Sequence, residues 1–160
     1  MSKYYSRILF NMAKDVLDGK LRYTENSENG WIFIDGKPPK FNGRIRYIIS
    51  FYDDSYNVYS FLDSVQVDTS NLTKVSAIRE YICSVNEGRM NGNFDLKMNT
   101  GSILYRTFTY CPHEELNGNL LLEDLGLHEH MYERFGNEMM AVYYGNMTAK
   151  EAFDRAIKND

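Results

Sequence analysis

The stretch RIRYIISFYDDSYNVYSFL, residues 44–62, constrains the fold more than any other part of the chain. Side chains of an extended strand alternate between the two faces of a sheet. Here Ile45, Tyr47, Ile49 and Phe51 form one wholly apolar row, while Arg44, Arg46, Ile48, Ser50 and Tyr52 form a mixed one. A sheet covered on one face only requires that asymmetry. Asp53-Asp54-Ser55 turns the chain, and YNVYSFL returns as the neighbouring strand.

The cover has to come from helices, and helical spacing supplies it on both sides of these strands. From Lys3 to about Asp18, the residues Tyr5, Ile8, Leu9, Met12 and Val16 recur at helical intervals, and Gly19 follows where a helix ends. A second helix is expected from Leu72 to Asn86, burying Val75, Ile78, Ile82 and Val85 after a run of N-cap residues. A long helical region follows from about Asn119 to Tyr144, with Leu121, Leu125, Met131, Phe135, Met139 and Val142 along one side. Gly126 and Gly136 interrupt it, so a kink or a break is expected there. Thr148-Ala149-Lys150-Glu151 is a capping box and opens a last helix burying Ala152, Phe153, Ala156 and Ile157.

Turn chemistry places the remaining strands. LRYTE and WIFID flank a polar loop ending in Asn29-Gly30, which predicts a hairpin. Pro38 and Pro39 exclude both helix and central strand from the connection that follows. Residues 85–106 hold three glycines and four asparagines. A phosphate-cradling loop sets its glycines after a strand and before a helix N-terminus. Here the helix comes first, so Gly88, Gly92 and Gly101 read as corners around the hairpin FDLKM/SILYRTFTY. The expectation is one α+β domain over residues 1–160. It has an N-terminal helix, an antiparallel sheet of about five strands, a central helix between strand groups, and C-terminal helices on one sheet face.

The order helix, strands, helix, hairpin, helix resembles the YbjN-like bacterial domains, whose fold is that of type III secretion chaperones. The likeness rests on AIREYICSVNE, NGNFDLKMNTGSILYRTFTY, the long helix ending MMAVYYGNMT, and AKEAFDRAI. Asn86, Gly101, Gly145, Glu151 and Ala152 fit the family's core and turn places; strands 44–62 are matched by element order alone. The resemblance implies a small bacterial cytoplasmic protein, often dimeric, that works by binding another protein. It brings no catalytic residues with it.

Composition narrows the function classes. Net charge is −4, and Arg44 and Arg46 stand alone in an apolar strand, so no nucleic-acid surface is advertised. No apolar run approaches the roughly 18 residues of a membrane helix. The first residues lack an apolar core and cleavage site, and Cys83 and Cys111 alone make no disulfide framework. Cytoplasmic placement is therefore expected. No phosphate loop, dinucleotide fingerprint or calcium loop is present, and no cofactor is expected. Cys111 and His113, near neighbours at a strand end, lack a third orienting group and make a poor nucleophile and base.

His128, His130 and Glu133 are the one alternative chemistry. His130 and Glu133 share a helix face at i,i+3, but two histidines at i,i+2 point about 200° apart. A small metal-dependent protein or enzyme would use these three. The leading expectation is instead a non-enzymatic protein-binding module, chaperone-like or regulatory. Thirteen tyrosines and 14% aromatic content exceed what one covered sheet face can absorb. Trp31, Tyr52, Tyr56, Tyr59 and Phe61 are the residues expected to meet a partner, with a second copy of the chain one such partner.

Overall fold

The computed structural model describes residues 4–89 and 91–158, and for Ser64 the backbone alone. In chain order the elements are α1 (Arg7–Leu17), β1 (Thr24–Asn26), β2 (Trp31–Gly36), β3 (Ile45–Phe51), β4 (Ser55–Gln66) and α2 (Leu72–Asn86). There follow β5 (Asn93–Lys97), β6 (Ser102–Tyr110), α3 (Gly118–Tyr144) and α4 (Ala149–Lys158). The strands make one antiparallel sheet of six in the order β1-β2-β3-β4-β6-β5. That is one strand more than expected, and β1 is only three residues long. Four hairpin-joined strands come first. The chain then crosses through α2, and the second hairpin returns β6 against β4, which leaves β5 at an edge.

The alternation of residues 44–62 does what the pattern demands. The register pairs Ile45 with Leu62, Tyr47 with Ser60, Ile49 with Val58 and Phe51 with Tyr56, all on one face. That face and the helices share one apolar cluster, to which α1 gives Leu9, α2 Ile78 and Tyr81, α3 Leu121 and Phe135, and α4 Ala152. Each large aliphatic or aromatic side chain so buried contributes about 1.5–3 kcal/mol.

Helix ends follow local chemistry. Ser6 Oγ accepts from the Leu9 amide at 3.1 Å, and Asn71 Oδ1 from the Lys74 amide at 3.0 Å. Lys3, where the apolar pattern begins, lies outside the described residues. The fully buried stripe of α1 is Leu9, Phe10, Ala13 and Leu17; Tyr5, Met12 and Val16 flank it, half-buried against the same cluster, and Ile8 faces solvent. Apolar residues fill two adjacent stripes of this helix, and periodicity alone does not choose between them. In α4 the capping box forms, with Glu151 Oε2 accepting from the Thr148 amide at 2.9 Å and Thr148 Oγ1 from the Glu151 amide at 3.2 Å. Its burial runs through the alanines, and Ile157 is exposed.

The long helix α3 is continuous over 27 residues, against the expected break. Gly126 is exposed with open space where a side chain would point, and its helical conformation costs only propensity. Gly136 is there for another reason. A Cβ at that position would stand 2.7 Å from the ring of Phe41, which the proline-rich connection inserts against the helix. Glu133 and Asn137 fasten that connection, accepting from the amides of Lys40 at 3.1 Å and Asn42 at 2.9 Å.

Candidate functional site

The sheet's second face carries a different set of side chains. The register lines up Trp31, Ser50 and Asn57 in one row; Phe33, Ile48, Tyr59 and Arg106 in the next; and Arg46, Phe61 and Leu104 in a third. Trp31, Phe33, Ile48, Tyr59, Phe61 and Leu104 all lie outside the cluster that the helices bury. Leu104 is nevertheless 0% exposed. It pairs with Phe61 of β4 and Asp95 of β5, inside the sheet rather than at its edge. Trp31 and Phe33 meet edge to face with ring centroids 6.2 Å apart, and Tyr59 and Phe61 lie 6.4 Å apart. Burial and the adjacent Tyr52 push the Tyr59 phenol up. Farther along β6, Phe108 and Tyr110 are 65% and 60% exposed.

Four of the five aromatic residues expected to meet a partner therefore gather at or beside this face: Trp31, Tyr52, Tyr59 and Phe61, each half-buried. Tyr56 does not. It alternates with Val58 and Ser60 on the helix side, is 1% exposed, and donates to Asp124 Oδ2 at 2.7 Å. Thr109 Oγ1 donates to the same carboxylate oxygen at 2.8 Å. A tyrosine in a strand is assigned to a face by parity alone, and position 56 has the parity of the core.

One end of the outer face is cationic. Arg22, Arg44 and Arg46 surround a depression of about 850 Å³ floored by Phe33 and Ile48. Asp35 is the one carboxylate lining it and is paired with Arg46 at 3.2 Å. This corrects the reading of Arg44 and Arg46 as isolated charges. Arg22 is far from them in the chain, and the β1–β2 hairpin carries it alongside.

The three residues of the metal alternative are not brought together. His128 is 0% exposed beneath the sheet, between Ser60 Oγ at 2.6 Å from Nδ1 and Thr107 Oγ1 at 3.0 Å from Nε2. The Tyr105 ring stands edge-on to it, 4.8 Å between centroids. Burial lowers its pKa to about 3, so the ring is neutral with both nitrogens engaged. His130 points to solvent, and Glu133 is occupied at the Lys40 amide. Among the described residues no group of three His, Cys, Asp or Glu side chains is placed to hold a metal ion. Cys111 is 2% exposed, and burial followed by the charges of Asp124 and Asp54 pushes its thiol up, away from the nucleophilic form. His113 is exposed in the turn beyond it.

These features define a class: an α+β protein with a one-sided antiparallel sheet whose free face is aromatic and, at one end, basic. Comparison with protein-family models, curated proteins and solved structures found no match. No described helix is long and apolar enough to cross a membrane.

Proposed function

We propose that the chain is a protein-binding module, chaperone-like or regulatory in kind, which takes a polypeptide partner on the outer face of its sheet. The observation that carries this reading is the group of half-buried aromatic side chains, Trp31, Tyr52, Tyr59 and Phe61, at or beside the face the helices leave bare. Aromatic rings with polar tips bury much area while losing few rotors, which suits an interface. The element order that resembles YbjN-like domains supports the same reading, and with it a bacterial cytoplasmic setting. The engaged His128 and the protonated Cys111 leave neither group available for chemistry at this face.

A photo-crosslinking amino acid at position 61 tests the reading in the native host, with position 8 on the exposed side of α1 as control. The expected result is one partner captured through position 61 alone, rebinding when purified, and losing affinity for the Phe61→Asp chain. Equal capture at both positions, or unchanged affinity in the variant, removes the sheet face as the site. A second copy is one candidate partner, and light scattering at micromolar concentration decides it: a strict 18.7 kDa monomer ends that part.

A further inference from the structure

The second strand of the late hairpin outruns the first. β5 pairs with β6 from Lys97 and Ser102 to Asn93 and Arg106, whereas β6 runs on to Tyr110 against β4. Residues 107–110 thus have a strand on one side only. The Cys111 amide donates to the Asp54 carbonyl at 2.6 Å, one step beyond the facing residues Tyr110 and Ser55. In an antiparallel ladder that spacing bonds Thr107 and Thr109 to β4. It turns the N–H and C=O groups of Phe108 and Tyr110 the other way. No described residue meets those groups with a hydrogen bond. Asn91 and Gly92, which precede β5, do not run alongside them: the Tyr105 hydroxyl, on the helix side, donates to the Asn91 carbonyl at 2.5 Å.

Space and chemistry both suit a strand in this place. A depression of about 740 Å³ surrounds the edge, from Tyr59 and Arg106 on the outer face to Leu120 and Asp124 on the side of the helices. Phe108, Tyr110 and Leu120 are exposed apolar side chains around it. Its two charged residues are engaged within their own chain. Arg106 Nε donates to Asn93 Oδ1 at 3.3 Å, and Asp124 Oδ2 accepts from Tyr56 and Thr109. One cation and one anion favour neither a basic nor an acidic partner.

We infer that this edge of β6 pairs with the same edge of a second copy, antiparallel about a two-fold axis at Thr109. The arrangement is self-complementary. Phe108 faces the partner's Tyr110 and exchanges both main-chain bonds with it, and Tyr110 does the same with the partner's Phe108. Aromatic side chains then meet across the strands on the outer face, while Thr109 faces the partner's Thr109. The length of the gap argues for a copy rather than for a longer segment. A strand in this lane is stopped by Asn93, the first residue of β5, opposite Arg106. The copy's β6 ends where it must, because the chain leaves the sheet after Tyr110 and Pro112 opens a helical turn. Pairing of this kind extends the sheet and does not cover its face, so the inference does not require the sheet-face reading above.

The first test follows amide exchange in the full, unaltered chain from micromolar to millimolar concentration. Phe108 and Tyr110 are expected to slow as copies pair, while Thr107 and Thr109, bonded to β4, are slow throughout. Cross-linking is the second test, with the exposed Cys83 changed to Ser. Thr109→Cys in that background should oxidise to a linked dimer, because residues facing each other at such a site have Cα atoms about 4.5 Å apart. Ile8→Cys, on the exposed side of α1, should stay monomeric under the same oxidant. The Phe108→Lys/Tyr110→Lys chain, altered at two exposed positions, should raise the dissociation constant at least about tenfold. A monomer at millimolar concentration, a dimer in which the Phe108 and Tyr110 amides still exchange fast, or equal linkage through positions 8 and 109 would each overturn the inference. A monomer that captures another protein through position 61 removes this inference and leaves the sheet-face reading in place. A dimer linked through position 109 with nothing captured through position 61 supports the edge pairing and removes the aromatic face.

Discussion

His128 shows how a single side chain acquires its character from its surroundings. On a helix surface it would titrate near 6.5, but here burial holds it neutral down to about 3. The native pKa lies below the unfolded one, so the stability linked to this group is complete above pH 6.5. It is lost as pH falls, because below 6.5 the unfolded chain takes up a proton that the native chain refuses. Denaturant titrations between pH 6.5 and 3 should show an extra loss of about 1.4 kcal/mol per pH unit. The His128→Gln chain, which keeps a polar side chain between Ser60 and Thr107, should lose that increment of slope. The glycines of α3 make a second residue-scale pair. Gly126→Ala meets open space and should stabilise by about 0.5–1 kcal/mol. Gly136→Ala drives a methyl into the Phe41 ring and should destabilise by about 1–3 kcal/mol in the same denaturation experiment. Composition made the two glycines look alike, and only the neighbour across the helix separates them.

At the scale of elements, α2 and the hairpin after it are joined by one side chain. Asn86, the last residue of α2, accepts from the Phe94 amide and donates to the Phe94 carbonyl, both at 2.9 Å. β5 is an edge strand, and Asn86 stands in for the missing neighbour near its start. Asn86→Ala should cost about 1–3 kcal/mol and speed hydrogen exchange at the Phe94 amide while leaving exchange in β3 unchanged. Much of this level was legible beforehand. The bounds Leu72–Asn86, the hairpin with Gly101 at its turn, and the Thr148–Glu151 box are local chemistry, in which residues within a few positions settle each other's conformation. The rotation of α1 about its axis was not legible. Two apolar stripes satisfy its periodicity, and the sheet beneath it picks one.

For the molecule as a whole, the aromatic excess resolves into two populations. Tyr47, Tyr56, Tyr81, Tyr105 and Tyr132 are core residues whose buried hydroxyls bond to backbone or carboxylate. Trp31, Tyr52, Tyr59 and Phe61 belong to the outer face. Trp31 is the chain's one tryptophan, so a partner or peptide seated beside it should shift intrinsic emission to shorter wavelength. The Phe61→Asp chain should keep its fold, because that side chain stands outside the main cluster, and should lose the emission shift. Unchanged emission on binding would place the partner elsewhere.

What the sequence determined by itself is the set of elements and the existence of a sheet with one apolar face, because alternation, helical spacing and capping act over a few residues. Which aromatic residues share the bare face, and that Arg22 joins Arg44 and Arg46 at one end of it, was decided only in three dimensions. Register and strand order bring together groups far apart in the chain. Nothing local in the sequence records that meeting.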